Sequence, residues 1–331
     1  MYFSLIIPVY NRPEEIDELL ESLVCQTFKE NYEIVIIEDG SSLDCKLIVE
    51  KYTSLSISYY YKTNSGPGDS RNFGMRVAKG DYFIVLDSDC IIPSDYLEKV
   101  KRSLDSEYVD CFGGPDKALD SFSDIQKAIN FTMTSFLTTG GIRGGSEKIG
   151  KFQPRSFNMG ISKKAFEVSE GFGNIHPGED PDLSIRLWKA GFQTKLIPEA
   201  YVFHKRRIDW NKFYIQVNKF GLARPILNKW YPEYAKITFW FPTLFMLGFL
   251  GSLLLTFFKV PYFIYLFGCY FLILGIVSTI QNKSIKIGYY SIIAAIIQFY
   301  GYGKGFLNSY IQVHLLNKKP ELAFPKMFFK K

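Results

Sequence analysis

The sequence lacks any arrangement of cysteines that would build a disulfide scaffold. Its five cysteines are odd in number, and no two of them form a Cys-x-x-Cys pair. This argues against a disulfide-rich secreted domain and favours buried thiols in a reducing compartment. The N-terminus also lacks a leader, because the apolar residues 5–9 have no basic segment before them and no small-residue cleavage site after them. We therefore expect the first part of the chain to stay in the cytosol.

Acidic side chains are almost missing from the last part of the chain. Residues 237–331 hold nine lysines and one glutamate, whereas residues 1–236 are nearly balanced, with 30 basic and 32 acidic side chains. The basic excess thus belongs to the most hydrophobic region, which points to a membrane surface and away from nucleic acid. With 47% hydrophobic residues in 331, the chain has ample material for a large core, and disorder is excluded.

Two long uncharged runs occupy this basic tail. Residues 237–258 and 260–282 contain 22 and 23 uncharged residues, with only Lys259 between them. Each can cross a bilayer, which takes about 20 residues, and the alternative is a pair of buried helices in a soluble protein. A third apolar stretch, 287–303, is near the lower limit for a span, so it either crosses the membrane or lies in its interface.

The positive-inside rule predicts the orientation of these runs. It places the flanking lysines on the cytosolic side together with the domain before the first run. Those lysines are Lys283, Lys286, Lys318, Lys319, Lys326, Lys330 and Lys331. Three full crossings would put the terminal lysines outside, so the sequence leaves the path of the third stretch open. Residues 208–236, which mix apolar and basic side chains, predict an amphipathic helix along the headgroups, or a helix packed on the domain.

The first part of the chain alternates predicted strands and helices. Apolar, β-branched runs predict strands at 4–9, 32–37, 57–61 and 82–86, and helical patterns separate them at 14–28, 44–52 and 68–78. Such a series predicts a parallel sheet buried on both faces. In open sheets of this kind, ligands bind beyond the carboxyl ends of the strands.

Acidic residues follow two of these predicted strands. The strand ends read PVYN at 8–11, EDGS at 38–41 and DSD at 87–89. Asp87 and Asp89 are separated by one residue, so in an extended segment both side chains point to one side, where they can reach Mg²⁺ or Mn²⁺. A turn or a helix cap is the alternative for an isolated Asp-x-Asp. Its place at the end of the apolar strand YFIVLDSD favours a metal site.

These motifs, taken together, resemble those of a known enzyme family. PVYN, EDGS, the stretch GPGDSRNFGMRVAKGDYFIVLDSD and the later GEDPDLSIRLWKAG occur in the order and spacing of the family-two glycosyltransferases. The resemblance covers residues 3–204. It implies an α/β fold of the A-type, nucleotide-diphospho-sugar kind with a mostly parallel central sheet, here followed by C-terminal transmembrane helices. It also implies transfer of a sugar from a nucleoside-diphosphate sugar, with inversion and with a divalent metal, Mg²⁺ or Mn²⁺.

The resemblance further implies roles for individual residues on the donor side. It places Pro8, Val9, Tyr10 and Asp39 around the base, Arg71 at the base or diphosphate, Asp87 and Ser88 along the donor, and Asp89, Asp87 and His204 at the metal. Independently, Arg71 opens a predicted helix, where a guanidinium suits phosphate, although a salt bridge to Asp69 or Asp87 is the alternative. A surface position at the membrane interface is the alternative for His204.

The acceptor side is predicted from the segment that begins at Gly178. An inverting transfer needs a base that takes the proton of the acceptor hydroxyl, and the resemblance points to Asp180. It gives Glu179 and Asn158 to the acceptor pocket. Plain capping of the helix that starts here is the alternative for the acidic pair. The glycine-rich residues 139–150 are predicted to form a loop over the acceptor side. Lys205, Arg206 and Arg207 are predicted to contact the diphosphate or anionic lipid, or to be simply solvated.

The predicted protein has four regions: a catalytic domain at 1–207, an interfacial helix or linker at 208–236, a membrane region at 237–316 and a basic tail at 317–331. It faces the cytoplasm from the inner membrane and acts on a lipid-linked glycan or glycolipid of cell-surface polysaccharide synthesis. One alternative is a processive synthase, which the QVNKF at 216–220 in place of the Gln-x-x-Arg-Trp of such synthases disfavours. The other is a non-catalytic membrane scaffold that binds nucleotide or lipid.

Overall fold

The structure is a computed structural model that describes residues 1–117, 122–140, 151–204 and 209–329. These residues form two compact units. The first comprises 1–117, 151–204 and 328–329, and the second comprises 122–140 and 209–327. Most of the predicted glycine-rich loop and the basic residues Lys205, Arg206 and Arg207 lie outside the described residues.

The first unit is an α/β domain. Its strands are β1 (Phe3–Val9), β2 (Tyr32–Asp39), β3 (Ile57–Lys62), β4 (Tyr82–Leu86), β5 (Cys90–Ile91), β6 (Cys111–Gly113), β7 (Asp116–Lys117), β8 (Asn158–Ser162), β9 (Thr194–Leu196) and β10 (Val202–His204). Its helices are α1 (Pro13–Val24), α2 (Lys46–Val49), α3 (Pro67–Val77), α4 (Tyr96–Ser106), α7 (Lys163–Ser169) and α8 (Glu179–Lys189), and α5 and α6 lie in the second unit. The predicted strands and helices up to residue 86 are confirmed, although the first two helices end earlier than predicted.

Seven strands form the main sheet, in the order β3-β2-β1-β4-β8-β6-β9. The first four of that order are parallel to their neighbours, β8 runs antiparallel to both β4 and β6, and β9 is parallel to β6. The expected mostly parallel sheet is therefore confirmed, with β8 as the reversed strand. A second sheet of three short strands, β5-β10-β7, pairs His204 with Cys90.

Both faces of the main sheet are buried, as the apolar runs predict. Phe3, Leu5 and Ile7 of β1 pack with α1 on one face, while Ile6 packs with Ile37 and Val85 on the other. On the second face, Gly74 allows α3 to lie close to the sheet, because a β-carbon there would come within 2.5 Å of Ile37. The α3 helix, which starts at the sheet edge, is thereby held against β1 and β2.

The second unit is helical. It contains α5 (Asp124–Thr134), α6 (Phe136–Thr139), α9 (Trp210–Trp230), α10 (Phe241–Phe257), α11 (Tyr262–Asn282), α12 (Ile285–Tyr310) and α13 (Pro320–Ala323). Glycines of α12 make close contacts with its neighbours: Gly305 lies against the backbone of Asn218 in α9, and Gly288 lies against Thr279 in α11. The α5 helix, from the range predicted to be catalytic domain, packs here because its Ile129 and Met133 are buried against Phe213 and Val217 of α9.

Two helices of the described chain are long and apolar enough to cross a membrane. They cover Ile237–Phe257 and Tyr262–Asn282, with mean hydropathies of 1.7 and 2.2, and only 22% and 17% of their most apolar windows is buried. The third apolar stretch is part of α12, which buries Ser291, Ala294 and Phe299 among the other helices. Of the five cysteines, Cys45, Cys90 and Cys111 are buried as predicted, whereas Cys25, directly after the end of α1, and Cys269, in α11, are exposed.

Candidate active site

Three parallel strands bring the predicted donor residues to one edge of the main sheet. β1, β2 and β4 end at Val9, Asp39 and Leu86, and the register pairs Val9 with Glu38. The carboxyl ends of these strands therefore lie side by side, which places the residues that follow them together. Tyr10 is 53% exposed beside this edge, whereas Val9, Asp39 and Ser88 are buried and Pro8 is partly buried.

Asp39 holds the turn that leads into α3. Its carboxylate accepts hydrogen bonds from the backbone N–H groups of Ser65 and Gly66, at 2.9 Å and 3.0 Å, and from Lys62 Nζ at 2.5 Å. Gly66 has a φ of +93°, which a residue with a side chain rarely adopts. Asp39 thus fixes the start of the helix that carries Arg71, and its hydrogen bond to a base stays a prediction.

Arg71 links the carboxyl-end edge of the main sheet, where the donor is predicted to bind (the donor edge), to the start of α8. Its Nη2 lies 2.8 Å from Asp87 Oδ1, and its Nη1 lies 3.4 Å from Glu179 Oε1. Of the two salt bridges that the sequence offered, the structure forms the one to Asp87, while Asp69 pairs with Lys62 and Arg76. Burial lowers the pKa of Arg71, but the surrounding carboxylates outweigh it, so its net pKa is raised and the guanidinium stays charged.

Asp89 and His204 form the centre of a candidate metal site. The pairing of β5 with β10 places His204 Nε2 3.1 Å from Asp89 Oδ1, and the donor atoms of Asp89, Cys90 and His204 lie within 4.8 Å of one another. A carboxylate suits Mg²⁺ or Mn²⁺, whereas an imidazole suits first-row transition metals, so this pair fits Mn²⁺ better than Mg²⁺, with Cys90 as a softer neighbour. Arg12 Nη1 also lies 2.8 Å from Asp89 Oδ2, so a metal ion here would share this carboxylate with a guanidinium.

The third predicted metal ligand, Asp87, is bound to Arg71 and is not part of that cluster. His204 is also held by stacking on Phe157, with ring centroids 4.8 Å apart. This contact fixes the orientation of the imidazole toward Asp89, so the histidine is not simply a surface residue.

The acidic pair at the start of α8 consists of two carboxylates with opposite properties. Glu179 is buried and accepts a hydrogen bond from His176 Nδ1, at 2.7 Å. Burial alone would raise the pKa of Glu179, but His176 and Arg71 more than compensate, so the net pKa lies below its usual range. Glu179 is therefore an ionised partner of Arg71 and is unsuited to accept a proton near neutral pH.

Asp180 has the properties that a general base needs. Burial, followed by the charge of Glu179, raises its pKa from 3.8 to about 6, against the lowering effect of Arg71 and of the hydrogen bonds from Ser156. Among the described residues, its Oδ1 has no hydrogen-bond partner. One carboxylate oxygen is thus held by Ser156 while the other is left to accept a proton, at a pKa close to that of an effective catalyst at neutral pH.

The amide of Asn158 is bonded inside the protein. It is fully buried, its Nδ2 donates to the carbonyl of Ala200 at 2.7 Å, and its Oδ1 accepts from the hydroxyl of Tyr96 at 2.6 Å. Both ends of its amide are therefore used inside the protein, and this placement favours a structural role over the acceptor contact that we expected. Sequence reasoning missed Arg12, Cys90 and Ser156, of which only Arg12, directly after PVYN, lies beside a recognisable motif.

Parts of the chain resemble known proteins in sequence. The family model described as "Glycosyl transferase family 2" matches residues 4–168. A Staphylococcus aureus poly(ribitol-phosphate) beta-N-acetylglucosaminyltransferase, TarS, is 36% identical over 114 residues, which are 33% of this chain and 20% of TarS. The chain thus aligns with a fifth of that relative's length.

Solved structures share the fold. Residues 1–349 of S. aureus TarS in complex with UDP-GlcNAc align with a TM-score of 0.51 and 19% identity, covering 94% of this chain and 92% of that one. A Pyrobaculum calidifontis mannosyltransferase in complex with GDP-Man and Mn²⁺ aligns with a TM-score of 0.56 and 13% identity, covering 96% of this chain and 88% of that one. The sheet topology, the strand-end motifs and the family match together show that the chain carries a family 2 glycosyltransferase domain.

Proposed function

We propose that the protein is a membrane-anchored, inverting glycosyltransferase that moves a sugar from a nucleoside-diphosphate sugar to the hydroxyl of a lipid-linked glycan or glycolipid. The observation that carries this proposal is the carboxylate of Asp180. It combines a raised pKa, one oxygen without a partner among the described residues and a position next to the Arg71 salt bridges. A non-catalytic scaffold has no need of a buried carboxylate maintained in this state.

In this mechanism the two sides of Arg71 have different tasks. Asp87, on one side, belongs to the donor edge, and Glu179 and Asp180, on the other, face the acceptor. Asp180 takes the proton of the acceptor hydroxyl as its oxygen attacks the anomeric carbon opposite the leaving diphosphate, which inverts that carbon. Arg71 keeps the donor and acceptor carboxylates in register, because it bonds to both sides at once.

A divalent ion fits the donor side. Asp89 and His204 would hold it, and the ion would neutralise charge that develops on the leaving diphosphate. The clustered donor atoms of Asp89, Cys90 and His204 support this assignment. The named ligands of the compared proteins, UDP-GlcNAc and GDP-Man with Mn²⁺, indicate which donors and which ion to test first.

The two apolar helices support the membrane anchor. Large side chains such as Leu250, Leu254, Leu266 and Ile273 are exposed on them, and a water-soluble protein rarely exposes so large an apolar surface. Two crossings return the chain to the side on which it entered. The catalytic domain and the terminal lysines then share the cytosolic side, as the positive-inside rule requires.

Basic grooves on the second unit support a membrane surface as the working place. Two grooves, of about 410 Å³ and about 390 Å³, share Phe324; Lys318 and Lys319 line one, and Lys219 and Lys326 line the other. In the part of the chain that the structure describes, no carboxylate pairs with any of these four lysines. Unpaired lysines beside apolar walls suit anionic headgroups, at about 1 kcal/mol for each lysine near the membrane.

The experiment is nucleoside-diphosphate release by the detergent-purified protein. UDP- and GDP-sugars are tested with Mg²⁺, with Mn²⁺ or with a chelator, and with or without a membrane lipid extract. We expect metal-dependent release that the extract stimulates, and the anomeric configuration of the product, measured by NMR, to be inverted. Nucleotide binding without release from any donor would favour the scaffold instead, and release without stimulation by lipid would refute the lipid-linked acceptor.

A further inference from the structure

The last described residues of the chain lie against the candidate active site. Phe328 forms an antiparallel β-bridge with Ile175, and the N–H of Phe329 donates to the carbonyl of Asn174 at 3.0 Å. Phe328 and Phe329 belong to the same compact unit as the α/β domain, although more than 120 residues separate them from its other parts. Residues 174–176 lie within five positions of Glu179, the first residue of α8. Residues 328–329 therefore brace the loop that leads into the acidic pair Glu179 and Asp180.

The ring of Phe329 contacts a second part of the site. It lies over Gly66, where an added β-carbon would come within 2.5 Å of the ring carbons. Gly66 is the residue whose N–H is bound by Asp39 and whose turn starts α3, the helix of Arg71. The same ring lies 6.0 Å, centroid to centroid, from the imidazole of His176.

These contacts form a continuous connection from the end of the chain to the reacting groups. Phe329 packs beside His176, His176 bonds to Glu179 at 2.7 Å, Glu179 pairs with Arg71, and Arg71 pairs with Asp87. The side chain of His176 is partly exposed to solvent. The ring of Phe329 and the β-bridge between Ile175 and Phe328 therefore restrict its rotation and keep its Nδ1 directed at Glu179. A loose His176 would leave Glu179 bound to Arg71 alone.

We propose that Phe329, held in place by the β-bridge of Phe328, is a positioning residue of the glycosyltransferase site. It fixes the Gly66 turn and the loop 174–177 relative to each other, so that Arg71 and Asp180 stay in reacting geometry. The role in turnover rests on the proposed function, whereas the bracing of the loop does not. Phe329 touches neither donor nor acceptor in this assignment.

The test compares two truncations and three substitutions, all made in the full-length protein. One truncation removes residues 328–331, and its control removes only Lys330 and Lys331. Phe329→Ala is matched with Phe324→Ala, since Phe324 is a similarly half-buried phenylalanine of the same segment that lines the grooves of the second unit. Phe329→Tyr is the conservative variant that should restore the wild-type values.

Two readouts separate the inference from the proposed function. Hydrogen exchange of residues 174–180 and 64–67 should become at least about tenfold faster in Phe329→Ala and in the longer truncation, and remain unchanged in both controls. Turnover should fall on the order of tenfold, with KM for the donor nearly unchanged, because misplaced groups cost rate more than binding.

The possible outcomes are distinct. Faster exchange without measurable turnover of the wild-type protein would refute the proposed function while leaving the bracing role intact. Unchanged exchange would overturn the positioning role, whatever the kinetics. Higher turnover or tighter donor binding after truncation would also overturn it, because the segment would then be blocking the site.

Discussion

Replacing Asp180 by Asn tests the proposed base most directly. Asn keeps the size of the side chain and can still accept the hydrogen bonds from Ser156, but it cannot take a proton. Loss of a positioned base typically costs a factor of about 10² to 10⁴ in rate. We expect kcat to fall by that factor while the Kd of the donor changes by less than about twofold, because a base acts only in the transition state.

The same substitution has a predicted effect on stability. The pKa of Asp180 is raised from 3.8 to about 6 in the folded protein, so ionising this group costs folding free energy at every pH above about 6. The cost is relieved as the pH falls from about 6 to about 4, where both states are protonated. A shift of about two pH units corresponds to about 3 kcal/mol. Solvent access and the coupling to Glu179 reduce this figure, and we expect Asp180→Asn to stabilise the domain by about 1 kcal/mol at pH 8.

The assay combines diphosphate release, donor titration calorimetry and thermal unfolding at pH 8 and pH 4.5. The kcat of the wild-type protein should fall below pH 6, because Asp180 becomes protonated there. The stabilisation of Asp180→Asn should be present at pH 8 and smaller at pH 4.5. Asp105→Asn is the control, because Asp105 is an exposed acid of α4 that pairs with Lys101 on the same helix. Donor affinity that fell as far as kcat, or a stability loss at pH 8, would refute the reasoning.

Three further predictions concern the metal site, Arg71 and the membrane helices. Asp89→Ala should weaken donor binding in the presence of Mn²⁺ at least about tenfold by calorimetry, since a metal ligand is lost, and unchanged binding would remove Asp89 from the metal site. Arg71→Lys should lower kcat on the order of tenfold, because an ammonium cannot bond to Asp87 and Glu179 in the same fork; full activity would show that one contact suffices. The double substitution Leu250→Lys and Ile273→Lys should release the protein from membranes in alkaline extraction, because each Lys near the middle of a membrane-spanning helix costs about 3 kcal/mol. Retention in the membrane fraction would contradict the proposal that the two apolar helices span the membrane.

The strand-end residues could be predicted from the sequence because they depend on local patterns. The apolar run YFIVL predicts a buried strand whatever its neighbours are. Asp87 and Asp89 lie at the end of this strand because they follow it in the sequence. The same holds for Gly66 and Pro67, which mark the start of α3. The alternation of strands and helices also leaves few possible orders for the parallel strands.

Contacts between distant segments could not be predicted in this way. The carboxylate of Asp180 is tuned by Ser156 and Arg71, which lie 24 and 109 positions earlier in the chain. The family resemblance gave Asn158 to the acceptor pocket, whereas the hydroxyl of Tyr96 and the carbonyl of Ala200 occupy its amide. The sequence around Asp180 or Asn158 does not indicate which distant residues will contact them.

The third apolar stretch is packed against its neighbours through small residues. Its seventeen residues are near the length of a span, but α12 places Ser291 in a hydrogen bond with Ser278, at 2.7 Å, and its Gly301 and Gly305 against α9. Small residues that let helices approach closely, and hydroxyls bonded between helices, are also features of helices packed inside a membrane, so these contacts bind α12 to its neighbours without deciding whether it crosses. If α12 does not cross, the two exposed apolar helices make an even number of crossings, which would place residues 1–236 and the terminal lysines on one side. The positive-inside rule favours that arrangement, because it places the same lysines with the preceding domain.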